Sequence, residues 1–138
     1  MSVDAILAAS RVGLEFERLR LEAASHNIAV ANTPSAPGHV TQLMRVASSD
    51  GADFHTMVDG MQRGGHPVLV AADVAQREVH DPSDPAADKN GMVSYPRVDL
   101  VNEMSTLIEA GRAYEANVRA FNTLRSMTLH ALDIGSGS

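Results

Sequence analysis

The 138-residue chain has no cysteine and no tryptophan, and only 4% of its residues are aromatic. Without cysteine, disulfides, thiolate metal sites and cysteine nucleophiles are excluded. With so few aromatics, the bulky side chains that usually anchor a core are scarce, and Ala, Leu, Val and Met must supply most of the apolar surface. A subunit built this way is expected to be marginally stable alone, which suits a protein completed by its neighbours. No stretch approaches the roughly 18 to 20 apolar residues that a membrane-spanning helix needs. Basic residues are few and scattered, 11 Lys and Arg against 17 Asp and Glu for a formal charge of −6. No basic stripe therefore exists to hold nucleic acid, and no lysine-rich amphipathic face suggests membrane binding. Residues 1–13 lack the basic segment and the apolar run of a secretory signal, and Asp4 sits where positive charge belongs. The expectation is a chain that stays in the cytosol or leaves by a route that cleaves nothing.

What is present is hydrophobic spacing at both ends. Residues 2 to about 31 predict one helix. Val3, Leu7, Ser10, Leu14, Glu17, Leu21, Ala24, Ile28 and Ala31 alternate steps of four and three, a heptad spacing that keeps one seam facing a partner helix. Ser10 and Glu17 interrupt that seam. Asn32-Thr33-Pro34 is a helix stop, because the residue before proline is pushed out of the α region. Residues 98 to about 134 predict a second helix, with Asp99 as N-cap and Gly135 at the C-cap. Leu100, Met104, Leu107, Gly111, Tyr114, Val118 and Phe121 keep the same alternation, which then drifts through Leu124, Met127 and Ala131. At about 1.5 Å per residue the two helices would run roughly 45 and 55 Å.

Between them the pattern changes. Residues 33–39 hold two prolines and a glycine and predict a loop. Residues 40–80 are short apolar runs broken by turn residues: VTQLMRV, FHTMV and HPVLVAADVAQREV, separated by SSDGAD and DGMQRGG. β-Branched residues and this punctuation predict short strands, with FHTMVDGMQ as a possible helical turn. Residues 81–97 carry three prolines and read as turn-rich, and Asn90-Gly91 is a pair in which both residues tolerate φ > 0. The expected architecture is mainly α with a small β-rich insertion. Residues 1–34 and 98–135 form a terminal helical domain with coiled-coil spacing, residues 35–97 a middle segment, and residues 136–138 a disordered tail. Each well-buried Leu, Ile, Val, Phe or Met contributes about 1.5–3 kcal/mol. Two helices alone leave much of each apolar face wet, so further partner helices are expected, and the ends are expected to be partly disordered in dilute solution.

Two stretches resemble a known family. Arg20-Leu21 followed by Ser25-His26-Asn27-Ile28-Ala29-Val30-Ala31-Asn32-Thr33-Pro34 resembles the amino-terminal signature of flagellar rod, hook and hook-associated proteins. A second stretch contains Asp84-Pro85-Ala86-Ala87-Asp88, Gly91, Tyr95-Pro96, Val98-Asp99, Glu103-Met104, Arg112-Ala113-Tyr114-Glu115-Ala116-Asn117, Arg125-Ser126-Met127 and Leu132-Asp133-Ile134-Gly135. It is similar to the proximal rod subunits of that family, and the short length fits them better than the longer distal rod or hook proteins. Val30, His39, Met92 and Arg97 depart from the family pattern and suggest a divergent lineage or a secondary flagellar system. The resemblance implies assembly rather than chemistry. Such a chain would cross the inner membrane unfolded through the flagellar type III export apparatus. It would then polymerise in the periplasm, through its terminal helices, with copies of itself and other rod and basal-body proteins, into a hollow shaft that transmits torque and conducts later subunits.

Under that reading the residues expected to meet neighbouring subunits are Leu21, Asn27, Ile28, Asn32, Met104, Leu107, Gly111, Tyr114, Asn117, Val118 and Phe121. Asn27 and Asn32 have an ordinary alternative as helix-end residues that bond nearby backbone, and Tyr114 one as plain core. Gly111 is expected to permit a close helix approach that no side chain would allow, the alternative being a tolerated helix defect costing about 1 kcal/mol relative to Ala. No cofactor, metal or small-molecule substrate is expected. Reading Asp88, Asn90 and Gly91 as positions three, five and six of a calcium loop puts Ala86 and Arg97 at positions one and twelve, which removes two ligands. Asp81, Asp84 and Asp88 are better read as a solvated turn. The six histidines (26, 39, 55, 66, 80 and 130) lack ligand spacing, no Gly-x-Ser-x-Gly elbow is present, and Gly64-Gly65 lacks the lysine of a phosphate loop. A small metal-dependent enzyme would have to draw on His55, His66, His80 and Asp81. A generic helical adaptor is the other alternative.

Overall fold

The computed structural model describes residues 3–49 and 66–136. The runs FHTMV and DGMQRGG lie outside them. The chain begins with helix α1 (Val3–Val30), continues through strands β1 (Leu43–Ser48), β2 (Pro67–Ala72), β3 (Gln76–His80) and β4 (Met92–Pro96), and ends in helix α2 (Leu100–Ser136). This is the expected mainly helical plan with a small antiparallel β insertion. α1 stops where the Asn-Thr-Pro signal put it. Thr33 donates its hydroxyl to the Ala29 carbonyl at 3.2 Å and its N–H to the Val30 carbonyl at 3.0 Å, satisfying carbonyls the helix would otherwise orphan. Asp99 caps α2 as expected, its carboxylate accepting from the Asn102 N–H at 3.1 Å. Gly135 does not end α2, because the helix runs on through Ser136, so helix replaces the start of the expected disordered tail.

The two helices pack antiparallel. Arg20 reaches Glu109 at 3.8 Å, Leu21 lies against Gly111 and Gly13 against Asn117, and Ile6 and Leu7 share a groove with Leu124, Met127 and Thr128. In that register the last two turns of α2, from Leu129 on, lie at or past the start of α1, with Ala131 still lining the groove with Ile6 and Leu7. The interruptions in the α1 seam are both satisfied. Ser10 returns its hydroxyl to the Ile6 carbonyl at 2.9 Å, and Glu17 pairs with Arg20 at 3.0 Å. Among the described residues the buried apolar set is Leu19, Ala23, Ala24, Ala31, Leu43, Val93 and Ala110. Mostly alanine, it is a thin core that lets backbones approach closely but buries little apolar area per residue.

The strands form two separate antiparallel ribbons, β1 with β2 and β3 with β4. β1 pairs from Leu43↔Ala72 to Ser48↔Pro67, and β3 from Gln76↔Pro96 to His80↔Met92. The run HPVLVAADVAQREV is thus two strands rather than one. It breaks at Asp73-Val74-Ala75, where Gln42 bonds Asp73 at 2.7 Å, Gln76 bonds the Val74 carbonyl at 3.0 Å and Arg97 donates to the Ala75 carbonyl at 2.8 Å. Strand β4 lies inside the segment read as turns, and its Val93 is fully buried. The Asn90-Gly91 turn also differs from expectation. Gly91 has φ +73° but Asn90 is not left-handed. The Asp88 carboxylate takes the N–H groups of Asn90 at 2.8 Å and Met92 at 2.9 Å, while Gly91 donates to the Asp88 carbonyl at 3.0 Å. That is a right-handed turn followed by a glycine bulge, in place of a mirror-image two-residue turn.

A side-chain amide docks the first ribbon on α1. Asn27, with 0% of its surface exposed, accepts the Met44 N–H on Oδ1 at 2.7 Å and donates Nδ2 to the Met44 carbonyl at 3.1 Å. The amide takes the place of a neighbouring strand along the edge of β1. Asn27→Ala would leave two buried backbone groups without partners, at about 1–3 kcal/mol each. Urea unfolding should show a loss of about 2–6 kcal/mol; a loss below about 0.5 kcal/mol would mean that the pairing contributes nothing net.

Candidate functional site

No cleft in the described residues gathers chemistry, and the features that stand out lie on the helices. α2 turns a stripe of apolar side chains outward. Val101, Met104 and Ile108 recur at helical spacing and are 77%, 51% and 57% exposed, so they share one face of the helix. Leu129, Leu132 and Ile134 are likewise exposed on the last turns of α2. Contiguous exposed apolar surface of this kind marks a protein contact more often than chance scatter.

The residues expected to meet neighbours fall into three groups. Leu21, Ile28, Leu107, Gly111, Tyr114, Asn117, Val118 and Phe121 are half-buried along the helix pair. Asn27 is engaged wholly inside the chain with Met44. Asn32 and Met104 are exposed. Met104 is the departure from the expected seam. The buried residue is its neighbour Glu103, 3% exposed, because Arg45 of β1 reaches into that position and pairs with the carboxylate at 2.7 Å. One residue is about 100° of helix rotation, enough to swing Met104 out to the surface. Nothing in the local spacing favours a glutamate over a methionine on a seam; the signal is the distant arginine.

Gly111 also corrects the reading. A Cβ built there would sit 3.8 Å from Leu21 Cδ2, an ordinary van der Waals distance. The helices do not require glycine at this position, and it is better described as a helix defect. Gly13, unremarked in the sequence, is the closer approach, since its Cβ would lie 3.5 Å from Asn117 Nδ2.

The polar candidates resolve locally. His66 and His80 are exposed, and His55 lies outside the described residues. The acidic segment is a chain of side-chain-closed turns. Asp81 accepts from the Ser83 hydroxyl at 2.6 Å and its N–H at 3.1 Å, Asp84 from the Ala86 N–H at 2.8 Å, and Asp88 from Asn90 and Met92 as above. Each carboxylate uses its Oδ1 to bond its own loop. The Ser83 hydroxyl, followed by its N–H, holds Asp81 below the ordinary carboxylate range. The N–H of Met92, followed by that of Asn90, does the same for Asp88.

Two outcomes follow. Gly111→Ala should stabilise the subunit by about 0.5–1 kcal/mol in urea unfolding; a destabilisation would restore the close-approach reading. For Asp88 the folded-state pKa is depressed. The stability from its bonds is therefore fully present above the unfolded-state value of about 3.9 and is lost as pH falls through the folded value. Asp88→Asn, which keeps an acceptor and cannot titrate, should flatten the fall in urea midpoint below about pH 4. An unchanged pH profile would detach Asp88 from acid stability.

The family model described as flagellar basal body rod FlgEFG protein C-terminal matches residues 89–134, a stretch from the Asp88 turn to the last turns of α2. The flagellar basal-body rod protein FlgC of Salmonella typhimurium (strain LT2) is 34% identical over 119 residues, covering 84% of this chain and 85% of that protein. The FlgC proteins of Agrobacterium fabrum, 33% identical with 96% of each chain covered, and of Bacillus subtilis, 31% identical with 94% and 95% covered, extend the likeness across nearly the whole length. With capped terminal helices, a β insertion between them and this span of similarity, the chain belongs to the FlgC family and is a structural subunit of the flagellar basal-body rod.

Proposed function

We propose that this chain is a proximal rod subunit that polymerises through its terminal helices with copies of itself and with other rod and basal-body proteins. The observation that carries this reading is the outward stripe Val101, Met104 and Ile108, together with the exposed Leu129, Leu132 and Ile134 on the last turns of α2. With Met127, seven large apolar side chains exposed on one helix represent hydrophobic free energy available to a neighbour, about 25 cal/mol for each Å² covered. A rod needs contacts that continue from one subunit to the next. Patches at opposite ends of a long helix suit that need better than a single patch would. The exposed expected contact Met104 belongs to this surface, and Asn32 is exposed just after the end of α1. The half-buried seam residues hold the helix pair that presents it.

In this proposal the assembled helices line a hollow periplasmic shaft that transmits torque and lets later subunits pass. The subunit reaches it through the flagellar type III export apparatus without a cleaved signal peptide. It performs no catalysis: the carboxylates close their own turns, and His66 and His80 stand apart on the surface.

The test is genetic and structural together. A strain lacking the chain should be non-motile, with no rods in isolated basal bodies; wild-type swimming in that strain would end the proposal. Complementation with Ile108→Lys should fail to restore rods. The same variant, purified, should keep its stability within about 0.5 kcal/mol, as exposed substitutions do. Restored rods would remove the α2 stripe from the interface.

A further inference from the structure

The first ribbon is held to the helix pair by two polar contacts that start from adjacent residues of β1. Met44 gives its backbone N–H and C=O to Asn27 of α1. Arg45 sends its side chain to Glu103 of α2, Nη1 to Oε1 at 2.7 Å. Among the described residues this is the ion pair through which a strand reaches α2. Both strands of the ribbon pack on α1, but Asn27 grips one residue and that contact leaves the ribbon without a polar tie to α2. A second anchor on the other helix supplies that tie.

The kind of anchor is informative. The Glu103 side chain is 4% exposed and that of Arg45 50% exposed, so a carboxylate has been taken out of water and left one charged partner. Such pairs add little net stability over apolar side chains of the same volume, because desolvation offsets the attraction. What they add is direction, since a short charge-assisted hydrogen bond holds donor and acceptor in a defined place and apolar contact does not. An open cleft of about 170 Å³, lined by Phe16, Ala23, Met44 and Thr106, lies beside the pair. Packing on that side does not block Arg45 from swinging, so its orientation depends on the bond to Glu103.

We infer that Arg45 and Glu103 are positioning residues that stop the first ribbon pivoting on Asn27, and that together with the Asn27–Met44 contact they carry force between the β insertion and the helix pair. This rests on the reading of the chain as a torque-transmitting subunit. Load applied to the ribbon enters the helices through α1 at Asn27 and through α2 at Glu103, so twist is shared by both helices rather than taken by one.

The experiment uses the full chain. Having no cysteine, it accepts spin labels cleanly at Ala71→Cys on β2 and Ser105→Cys on α2, both exposed positions. The labelled wild type should give one narrow distance distribution. Arg45→Met combined with Glu103→Met should melt at the wild-type temperature yet give a broad distribution or a second population, and Arg45→Lys should return the narrow one. In cells, the double methionine variant should build rods and swim normally in thin medium but lose swimming in viscous medium. A double variant as narrow as wild type, or as strong in viscous medium, overturns the inference. Glu103→Gln, which keeps the shape and removes the charge, decides the matter if the double variant does not fold: broadening supports the tie, wild-type width overturns it. Non-motility of the deletion strain tests the torque reading separately, and the label distances do not depend on it.

Discussion

Met44 offers its N–H and C=O to a helix rather than to a strand, and the buried side chain of Asn27 answers both. Most of the architecture depends on that pairing. A two-stranded ribbon is marginal in water by itself, and the edge of β1 facing α1 would otherwise carry unpaired backbone into a dry interface. The amide lets a ribbon lie directly on a helix without a third strand. Ala23 and Ala24, both buried, keep the α1 surface low enough for β1 to come within reach. At the second ribbon the contact is backbone to backbone, an isolated antiparallel bridge between Ser35 and Ser94. The Ser35 N–H bonds the Ser94 carbonyl at 2.8 Å, and its hydroxyl meets Thr41 at 2.7 Å, fixing the chain just after α1 to the edge of β4.

A core made mostly of alanine has a consequence for the whole molecule. Small side chains buy close approach between backbones, and the larger apolar residues, Leu21, Leu107, Val118 and Phe121 among them, remain only half-covered. The subunit therefore holds itself together by hydrogen bonds and ion pairs at defined points while part of its hydrophobic surface remains uncovered. That distribution is poor for an isolated enzyme, which needs a rigid cavity, and well suited to a subunit of a larger assembly. It matches the membership of the chain in a family of basal-body rod proteins.

In the loop of residues 81–91 acidic side chains close turns of their own backbone. Asp81, Asp84 and Asp88 each bond N–H groups within four residues, and Gly91 takes the left-handed conformation that closes the turn into β4. A side chain at Gly91 would also meet Pro82 at 2.9 Å. The segment is thus a compact spacer between two strands, and its charge comes from capping its own backbone.

The sequence by itself determined the local features: two long helices with stop and cap residues at Thr33, Pro34 and Asp99, a strand-forming middle, and a glycine in the turn after Asp88. Each depends on interactions within a few residues, which periodicity and turn chemistry report directly. The resemblance to rod and hook proteins was legible for the same reason, since it lies in short contiguous stretches. The tertiary structure alone decided that Glu103 rather than Met104 turns inside on α2, where the long apolar run bends into two strands, and what Asn27 does. Met104 and Glu103 differ by one position, and the partner that separates them, Arg45, lies 58 residues away. Asn27 finds Met44 across 17 residues. Contacts of that range leave no trace in local spacing, because the energy that selects them belongs to a partner the helix meets only after folding.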